Sequence, residues 1–174
     1  GGDNRSFSPG SDPTLEAANQ VSVTTDIVIN EVMYHPIDND DRKEYVELYN
    51  KGPVALDLTG YALSDGLNFA IPDSTVIGSG GYLVIAHDPA LIRSIYGLPQ
   101  SQVVGPDNTP EAIDAFGRLR DGGERLTLTD QLGRTVDTIR IHDGGEWPRW
   151  PDGLGSSLEL IDPASEQHPI AECL

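Results

Sequence analysis

Residues 29–50 read INEVMYHPIDNDDRKEYVELYN, which is two short apolar runs separated by an acid-rich tip at residues 38–41. The second run, residues 45–49, alternates apolar and polar side chains with period two, as a half-buried strand does. Residues 50–53, Asn-Lys-Gly-Pro, then form a turn signal. The stretch therefore predicts two β-strands joined through a polar tip.

Working outward, similar short runs rich in apolar and β-branched residues recur along the chain, and turn residues close each of them. The run at 82–86 has few polar groups and predicts a central, well-buried strand. Residues 125–141 predict the clearest hairpin, with its turn at 130–133. This spacing favours an all-β chain folded as an antiparallel sandwich or barrel. The other runs are residues 27–33, 56–58, 61–63, 68–71, 75–77 and 157–161.

One short helix is predicted in a loop of this β-fold. Asp88 suits the N-cap, Pro89 the first helical position and Gly97 the residue after the end. Residues 99–117 are loop-like, with a single turn starting at Thr109.

Composition excludes several function classes. The chain has 174 residues, 28 acidic against 11 basic, and a formal net charge of −17. Nucleic-acid binding relies on Lys and Arg neutralising phosphates, so we expect no nucleic-acid partner. No run approaches the roughly 18 apolar residues of a membrane span, so we expect no membrane insertion. The lone Cys173 gives no disulfide framework.

The amino-acid composition along the chain predicts three parts. Residues 1–20 are rich in Gly, Ser, Pro and polar groups, which predicts a flexible leader or linker. Residues 21–162 hold the predicted β-sandwich. Residues 163–174 are expected to form a C-terminal tail or a linker to a following domain. Because the chain opens without Met, we expect it to be a fragment of a longer protein, whose signal peptide lies outside it.

The acid-rich tip raises the question of a metal site. An EF-hand loop counted from Asp38 would place Arg42 fifth, Lys43 sixth and Tyr49 twelfth, and all three are the wrong residue types. A solvated loop is therefore the favoured interpretation. A looser Ca²⁺ site remains as the alternative, because Ca²⁺ accepts irregular oxygen cages; its candidate ligands are Asp38, Asp40 and Asp41.

The glutamates do not form an evident catalytic pair. Glu44 and Glu47 are three residues apart, so on a strand they face opposite sides of the sheet. Glu31 shares the alternation of Ile27, Ile29 and Met33, and a half-buried Glu31 needs a cation or N–H donors. The candidate cations are Arg42, Lys43 and Arg140.

No catalytic residue is predicted, and we expect the chain not to be an enzyme. It contains no HExxH, GxSxG or GxGxxG motif. Its histidines are scattered: His35, His87, His142 and His168.

Aromatic residues supply the candidate binding surface. Tyr45, Glu47 and Tyr49 project from one face of a single strand, where they can form cross-strand pairs or contact a partner. Trp150, in the stretch WPRW, could anchor a partner or stack on a sugar, whereas Trp147 is expected to close the core. The strand at 158–161 is expected at a sheet edge, where a partner strand could be added.

Several blocks, taken in order, resemble the lamin tail domain family in its bacterial form. They are IVINEVMYHP, KEYVELYN, LDLTGYALSDG, NFAIPDSTVIGSGGYLVIAHD, GGERLTLTDQLGRTVDTI and EWPRWPDGLGSSLELIDP. The resemblance spans residues 26–162 and implies an immunoglobulin-like β-sandwich without a catalytic motif. Such domains resemble accessory modules of large secreted or surface proteins.

The resemblance implies a non-catalytic interaction module of a larger secreted or cell-surface bacterial protein. It would bind a protein partner or a neighbouring domain, and it would need no cofactor. The alternative is a Ca²⁺-dependent adhesion or carbohydrate-binding module, in which polysaccharide stacks on Trp150.

Overall fold

The computed structural model describes residues 26–141 and 156–161 in full, and the backbone of residues 172–173. These ranges hold twelve short strands, which are β1 (Ile27–Met33), β2 (Tyr45–Asn50), β3 (Leu56–Asp57), β4 (Ala62–Asp65), β5 (Phe69–Ala70), β6 (Val76–Ile77), β7 (Tyr82–Ala86), β8 (Val103–Val104), β9 (Arg125–Thr129), β10 (Thr135–Arg140), β11 (Leu158–Glu159) and β12 (Glu172–Cys173). Two α-helices lie between the strands, α1 (Pro89–Tyr96) and α2 (Pro110–Phe116), together with two single-turn 3-10 helices at Asp41–Lys43 and Gln100–Gln102.

The strands form a sandwich of two main sheets. The larger has the order β12-β11-β1-β2-β7-β8 and the smaller has the order β10-β9-β4-β5, while β3 and β6 pair separately. This arrangement confirms the predicted immunoglobulin-like β-sandwich. One pairing departs from the expected antiparallel pattern, because β8 runs parallel to β7. The connection through α1 is long enough to return the chain in the same direction.

The core lies between the two sheets and is lined by alternate residues of each strand. Val46 pairs with Ile85 and Leu48 with Leu83 on the inner face of the large sheet. The prediction that the 82–86 run is central is confirmed, since β7 lies between β2 and β8. The smaller sheet and its loops contribute Leu63, Leu67, Ile71, Leu126 and Leu128.

A β-bulge in β1 changes which side chains enter the core. Ile29 pairs with Leu48, but Glu31 pairs with Glu47, so Asn30 is the extra residue. An extra residue reverses the alternation beyond it. Ile29 therefore faces the core while Glu31 faces outward, and the prediction that these two residues share a face is wrong.

Helix α1 covers part of the outer face of the large sheet, which is the face turned away from the core. Asp88 caps it by accepting a hydrogen bond from the Leu91 amide at 3.0 Å, and Gly97 ends it in the left-handed region at φ 68°. Both predicted helix signals are thus confirmed. Under the helix lies a second apolar cluster, formed by Met33, Tyr45, Val84, Ala86, Ile92 and Val103.

A second helix, α2, stands where the sequence predicted only a single turn. Thr109 caps it through the Ala112 amide at 3.2 Å. Phe116 at its end and Leu119 just beyond are both buried and close one end of the core. The helix has only seven residues, too few for a clear 3.6-residue period. Neither helix in the described ranges has the length and apolar character needed to cross a membrane.

Strand β11 is not the free edge that the sequence predicted. Its residues Leu158 and Glu159 pair with β1 on one side and with the backbone of β12 on the other. The predicted leader at 1–20 lies outside the described residues, as does the predicted tail at 163–174 except for the backbone of 172–173.

Candidate functional site

Three glutamates form a line across the outer face of the large sheet. Glu31 on β1 pairs with Glu47 on β2 and with Glu159 on β11. Directly paired residues on neighbouring strands point to the same face, with their Cβ atoms about 5 Å apart. We call Glu31, Glu47 and Glu159 the carboxylate row. Of the predicted site residues, the row contains Glu47.

The carboxylate row receives few hydrogen bonds from the described residues. The Tyr45 hydroxyl donates to Glu31 Oε1 at 2.6 Å, and Asn30 Nδ2 donates to Glu47 Oε1 at 3.0 Å. Asn30 is 4% exposed, and its Oδ1 accepts no hydrogen bond within the described part of the chain. The predicted partners of Glu31, namely Arg42, Lys43 and Arg140, form no salt bridge with it in that part of the chain; a tyrosine hydroxyl supplies its hydrogen bond instead.

Burial and neighbouring charges alter the acidity of Glu47 and Glu159. Burial raises the pKa of Glu47 to about 7, the Asn30 hydrogen bond opposes this rise, and the charges of Glu31 and Glu159 add to it. Burial also raises the pKa of Glu159, and the neighbouring Glu31 raises it further. The row therefore holds negative charge at an energetic cost that a cation or a proton would relieve.

A stacked tyrosine pair flanks the carboxylate row. The rings of Tyr49 and Tyr82 lie 4.7 Å apart at an interplanar angle of 30°, and Tyr82 is 45% exposed. Tyr45, by contrast, is 6% exposed and packs edge-to-face against Tyr96 at 5.8 Å. Of the two predicted tyrosines, Tyr49 thus belongs to the aromatic pair with the exposed Tyr82, whereas Tyr45 is buried against Tyr96. Tyr82 could have been predicted by pairing the strand at 82–86 with the strand at 45–49, because this pairing places Tyr82 opposite Tyr49.

An apolar groove with a volume of about 430 Å³ is lined in part by Tyr96, the ring against which Tyr45 packs. Its rim carries the Asp38–Lys43 ion pair. Tyr45 connects the groove to the carboxylate row, because its ring contacts Tyr96 and its hydroxyl donates to Glu31. The groove is lined mainly by Met33, Pro36, Ile37, Leu91, Ile95 and Tyr96.

The three aspartates of the acid-rich tip do not converge. Asp40 binds the Arg42 guanidinium through two hydrogen bonds at 2.7 and 2.8 Å, and Asp38 binds Lys43. These cations hold the pKa values of Asp40 and Asp38 below their usual range. Asp41 faces Arg118 at 3.2 Å. Within the described ranges no three His, Cys, Asp or Glu side chains are grouped to hold a metal ion.

Glu44 occupies a buried position that its sequence context did not reveal. It lies just before β2, is 2% exposed, and accepts a hydrogen bond from the Leu119 amide at 2.9 Å. Burial raises its pKa to about 8. As predicted from the spacing, it lies on the opposite side of the sheet from Glu47. The hydrogen bond from Leu119 to Glu44 holds the segment after α2 against the end of the sandwich.

Trp150, predicted as a binding residue, lies outside the described residues, and so does Trp147. The structure therefore leaves both predictions as they stand. The candidate site consists of the carboxylate row, the Tyr49–Tyr82 pair and the apolar groove.

Comparison with known proteins gives one family assignment. A search of the curated proteins finds no match. The family model described as Lamin Tail Domain matches residues 20–143, which is well over half of the chain. Its immunoglobulin-like sandwich agrees with the sheets seen here. The chain belongs to the lamin tail domain family.

Proposed function

We propose that this domain is a non-catalytic interaction module of a larger secreted or cell-surface bacterial protein. The outer face of its large sheet binds a protein partner or a neighbouring domain. The observation that carries this proposal is the stack of Tyr49 on the exposed Tyr82 beside the carboxylate row, which the buried Tyr45 links by its contacts to an apolar groove.

The chemistry of this surface matches that of protein interfaces. Tyrosines offer large contact areas at a low cost in side-chain entropy, and they are enriched in interface centres. Ile95 and Tyr96, which line the groove, are 47% and 52% exposed, so apolar area is available for burial. Charged and polar groups surround the apolar part, as the Asp38–Lys43 pair does.

The arrangement of acids favours binding over hydrolysis. Glycoside hydrolysis needs two carboxyl groups on opposite sides of a sugar cleft. Glu31 and Glu47 instead stand side by side on one sheet face. The ring of His87 packs edge-to-face against Phe116 at 5.7 Å. These placements support a module that recognises a surface.

Site-specific photocrosslinking in the source cell tests the proposal. A benzophenone amino acid placed at Tyr82 should form an adduct with one defined protein or neighbouring domain, identified by mass spectrometry. The matched control is Leu132, which is 62% exposed in the turn between β9 and β10. The proposal fails if position 82 gives no adduct, or if positions 82 and 132 give the same adducts.

The Ca²⁺-dependent alternative, with Asp38, Asp40 and Asp41 as ligands, makes a separate prediction. Ca²⁺ would have to displace Arg42, Lys43 and Arg118 from these carboxylates. Binding at a hundredfold excess over Kd adds about 2.7 kcal/mol to the free energy of unfolding. Thermal melts with Ca²⁺ and with chelator measure this gain. Coincident melts would leave the tip as a solvated loop with internal ion pairs.

A further inference from the structure

The carboxylate row has more hydrogen-bond acceptors than donors. Two donors reach its three carboxylates from the described residues, one from Tyr45 and one from Asn30. Asn30 adds a second observation, because its side chain is 96% removed from solvent and its Oδ1 accepts no hydrogen bond in the described part of the chain. Since its Nδ2 is bonded to Glu47, this unpaired oxygen lies beside the same carboxylate. The site lacks positively charged donors.

The described part of the chain does not supply these donors. Of its basic residues near the outer face, Arg42 and Lys43 are paired with the aspartates of the tip, and Arg93 lies in the last turn of α1. The chain as a whole carries 28 acids and 11 bases, so it attracts cationic partners rather than providing cations. Among the described residues no Lys or Arg side chain forms a salt bridge with the row, so its negative charge favours a cationic ligand.

The shape of the face selects the kind of cation. A metal ion needs several converging ligands, and the described residues hold no such group. A guanidinium is planar, donates in parallel to neighbouring carboxylates and stacks on aromatic faces. The Tyr49–Tyr82 stack stands beside the row to receive it.

The apolar groove adds a further requirement. It joins the carboxylate row through Tyr45, so a ligand lying across both must carry carbon-rich groups next to its positive charge. Polysaccharides and nucleic acids do not offer that combination, whereas a polypeptide segment with arginine and aliphatic side chains does. Charge complementarity and groove chemistry thus agree on one class of occupant.

We infer that the segment bound by this face is a basic, amphipathic stretch of polypeptide. An arginine of the segment occupies the carboxylate row against Tyr82, and an aliphatic side chain of the segment occupies the groove beside Ile95. This inference rests on the proposed function, because it names the partner class for the same face.

Fluorescence anisotropy with a labelled short peptide of alternating arginine and leucine tests the charged half of the site. Glu47→Gln with Glu159→Gln should weaken binding by about tenfold, the loss of roughly one charge-assisted hydrogen bond. The matched control is Asp73→Asn with Asp114→Asn, which removes the same formal charge from exposed positions elsewhere. It should change the affinity by less than about twofold, because only long-range attraction is altered.

A separate substitution tests the contribution of the apolar groove. Ile95→Ser should weaken the arginine–leucine peptide but not an arginine–serine peptide of equal charge, because only leucine fills the groove. Ile95 is 47% exposed, so this variant should fold normally, and its melting temperature checks that. A glutamine–leucine peptide should not bind.

Three results would overturn the inference. If both pairs of acid-to-amide substitutions weaken binding equally, the attraction is a diffuse field and no site exists. If the glutamine–leucine peptide binds as well as the arginine–leucine peptide, positive charge is not what the face recognises. The photocrosslinking separates the two proposals. An adduct at position 82 with a partner lacking a basic segment removes this inference and leaves the interaction module standing, whereas no adduct removes both.

Discussion

At the scale of single residues, the buried polar side chains act as connectors between elements. Asp137 on β10 accepts the Ile29 amide at 2.7 Å and so links the two sheets. Asn50, fully buried, donates to the Ile77 carbonyl at 3.0 Å and accepts from the Gly52 amide at 2.9 Å. Glu44 accepts a hydrogen bond from the Leu119 amide and so connects the segment after α2 to the start of β2. Each of these groups would cost free energy if its partner were lost.

Glu44 gives a residue-scale prediction that separates hydrogen bonding from charge. Glu44→Ala leaves the buried Leu119 amide without an acceptor and should cost about 1–3 kcal/mol of unfolding free energy. Glu44→Gln keeps an acceptor and cannot ionise. Its stability should exceed that of the wild type at pH 9, where the buried carboxylate is charged.

Urea unfolding at pH 6 and pH 9 measures both effects. The control is Glu111→Ala, an exposed acid on α2, which should change the stability by less than about 0.5 kcal/mol. A loss for Glu44→Ala no larger than that of the control would mean that the carboxylate does not hold the Leu119 segment.

At the scale of elements, the sequence predicted features that depend on local residue chemistry. The strands β2, β7, β9 and β10 follow from period-two or continuous apolar runs, and α1 follows from Asp88, Pro89 and Gly97. The bulge at Asn30 could not be read from the sequence, because alternation is broken by tertiary pairing with β2. Consequently the sequence groups Glu31 with Ile29, although the two side chains face opposite sides of the sheet.

The candidate site was predicted less completely than the fold for the same physical reason. Glu47 and Tyr49 were found because they lie on one regular strand. Glu159 and Tyr82 reach them only through strand pairing, which register decides. The groove likewise depends on where α1 packs, and no local pattern encodes that position.

The central position of β7 gives an element-scale prediction. Ile85 is fully buried and pairs with Val46 in the middle of the large sheet. Ile85→Ala should therefore cost about 2–5 kcal/mol, through lost burial and the cavity left behind. Val76→Ala is the control, since Val76 on β6 is 54% exposed and should cost far less. Chemical denaturation measures both, and a loss below about 0.5 kcal/mol for Ile85→Ala would contradict a central β7.

At the scale of the whole molecule, the excess of acids is divided between two environments. In the tip, the pKa values of Asp38 and Asp40 are lowered by their basic neighbours. Within and upon the sandwich, burial raises the pKa values of Glu44 and Glu47. The first group stabilises the fold when ionised and the second when protonated. The two groups therefore set opposite limits on the pH range of greatest stability.

The resulting prediction is a stability maximum near pH 5. Between the ordinary glutamate pKa of about 4.5 and the folded values of about 7 and 8, the folded state binds more protons than the unfolded chain, so the unfolding free energy falls as pH rises. Below about pH 4 the aspartates of the tip lose their ion pairs and stability falls again. His87 opposes the first trend, because burial lowers its pKa and protonation then favours unfolding.

Urea unfolding between pH 4 and pH 9 measures this profile. The carboxyls of the buried Glu44 and the partly buried Glu47 outweigh one imidazole. With allowance for solvent screening at Glu47, the wild type should lose on the order of 2 kcal/mol between pH 5 and pH 8.5. Glu44→Gln combined with Glu47→Gln should reduce the fall in unfolding free energy between pH 5 and pH 8.5, because neither side chain then titrates. Asp73→Asn is the control, since it changes the net charge at an exposed position and should leave the slope intact. A wild-type stability that stays level or rises from pH 5 to pH 8.5 would mean that these carboxyls are hydrated in solution. Water would then supply the hydrogen-bond donors that the carboxylate row does not receive from the described residues.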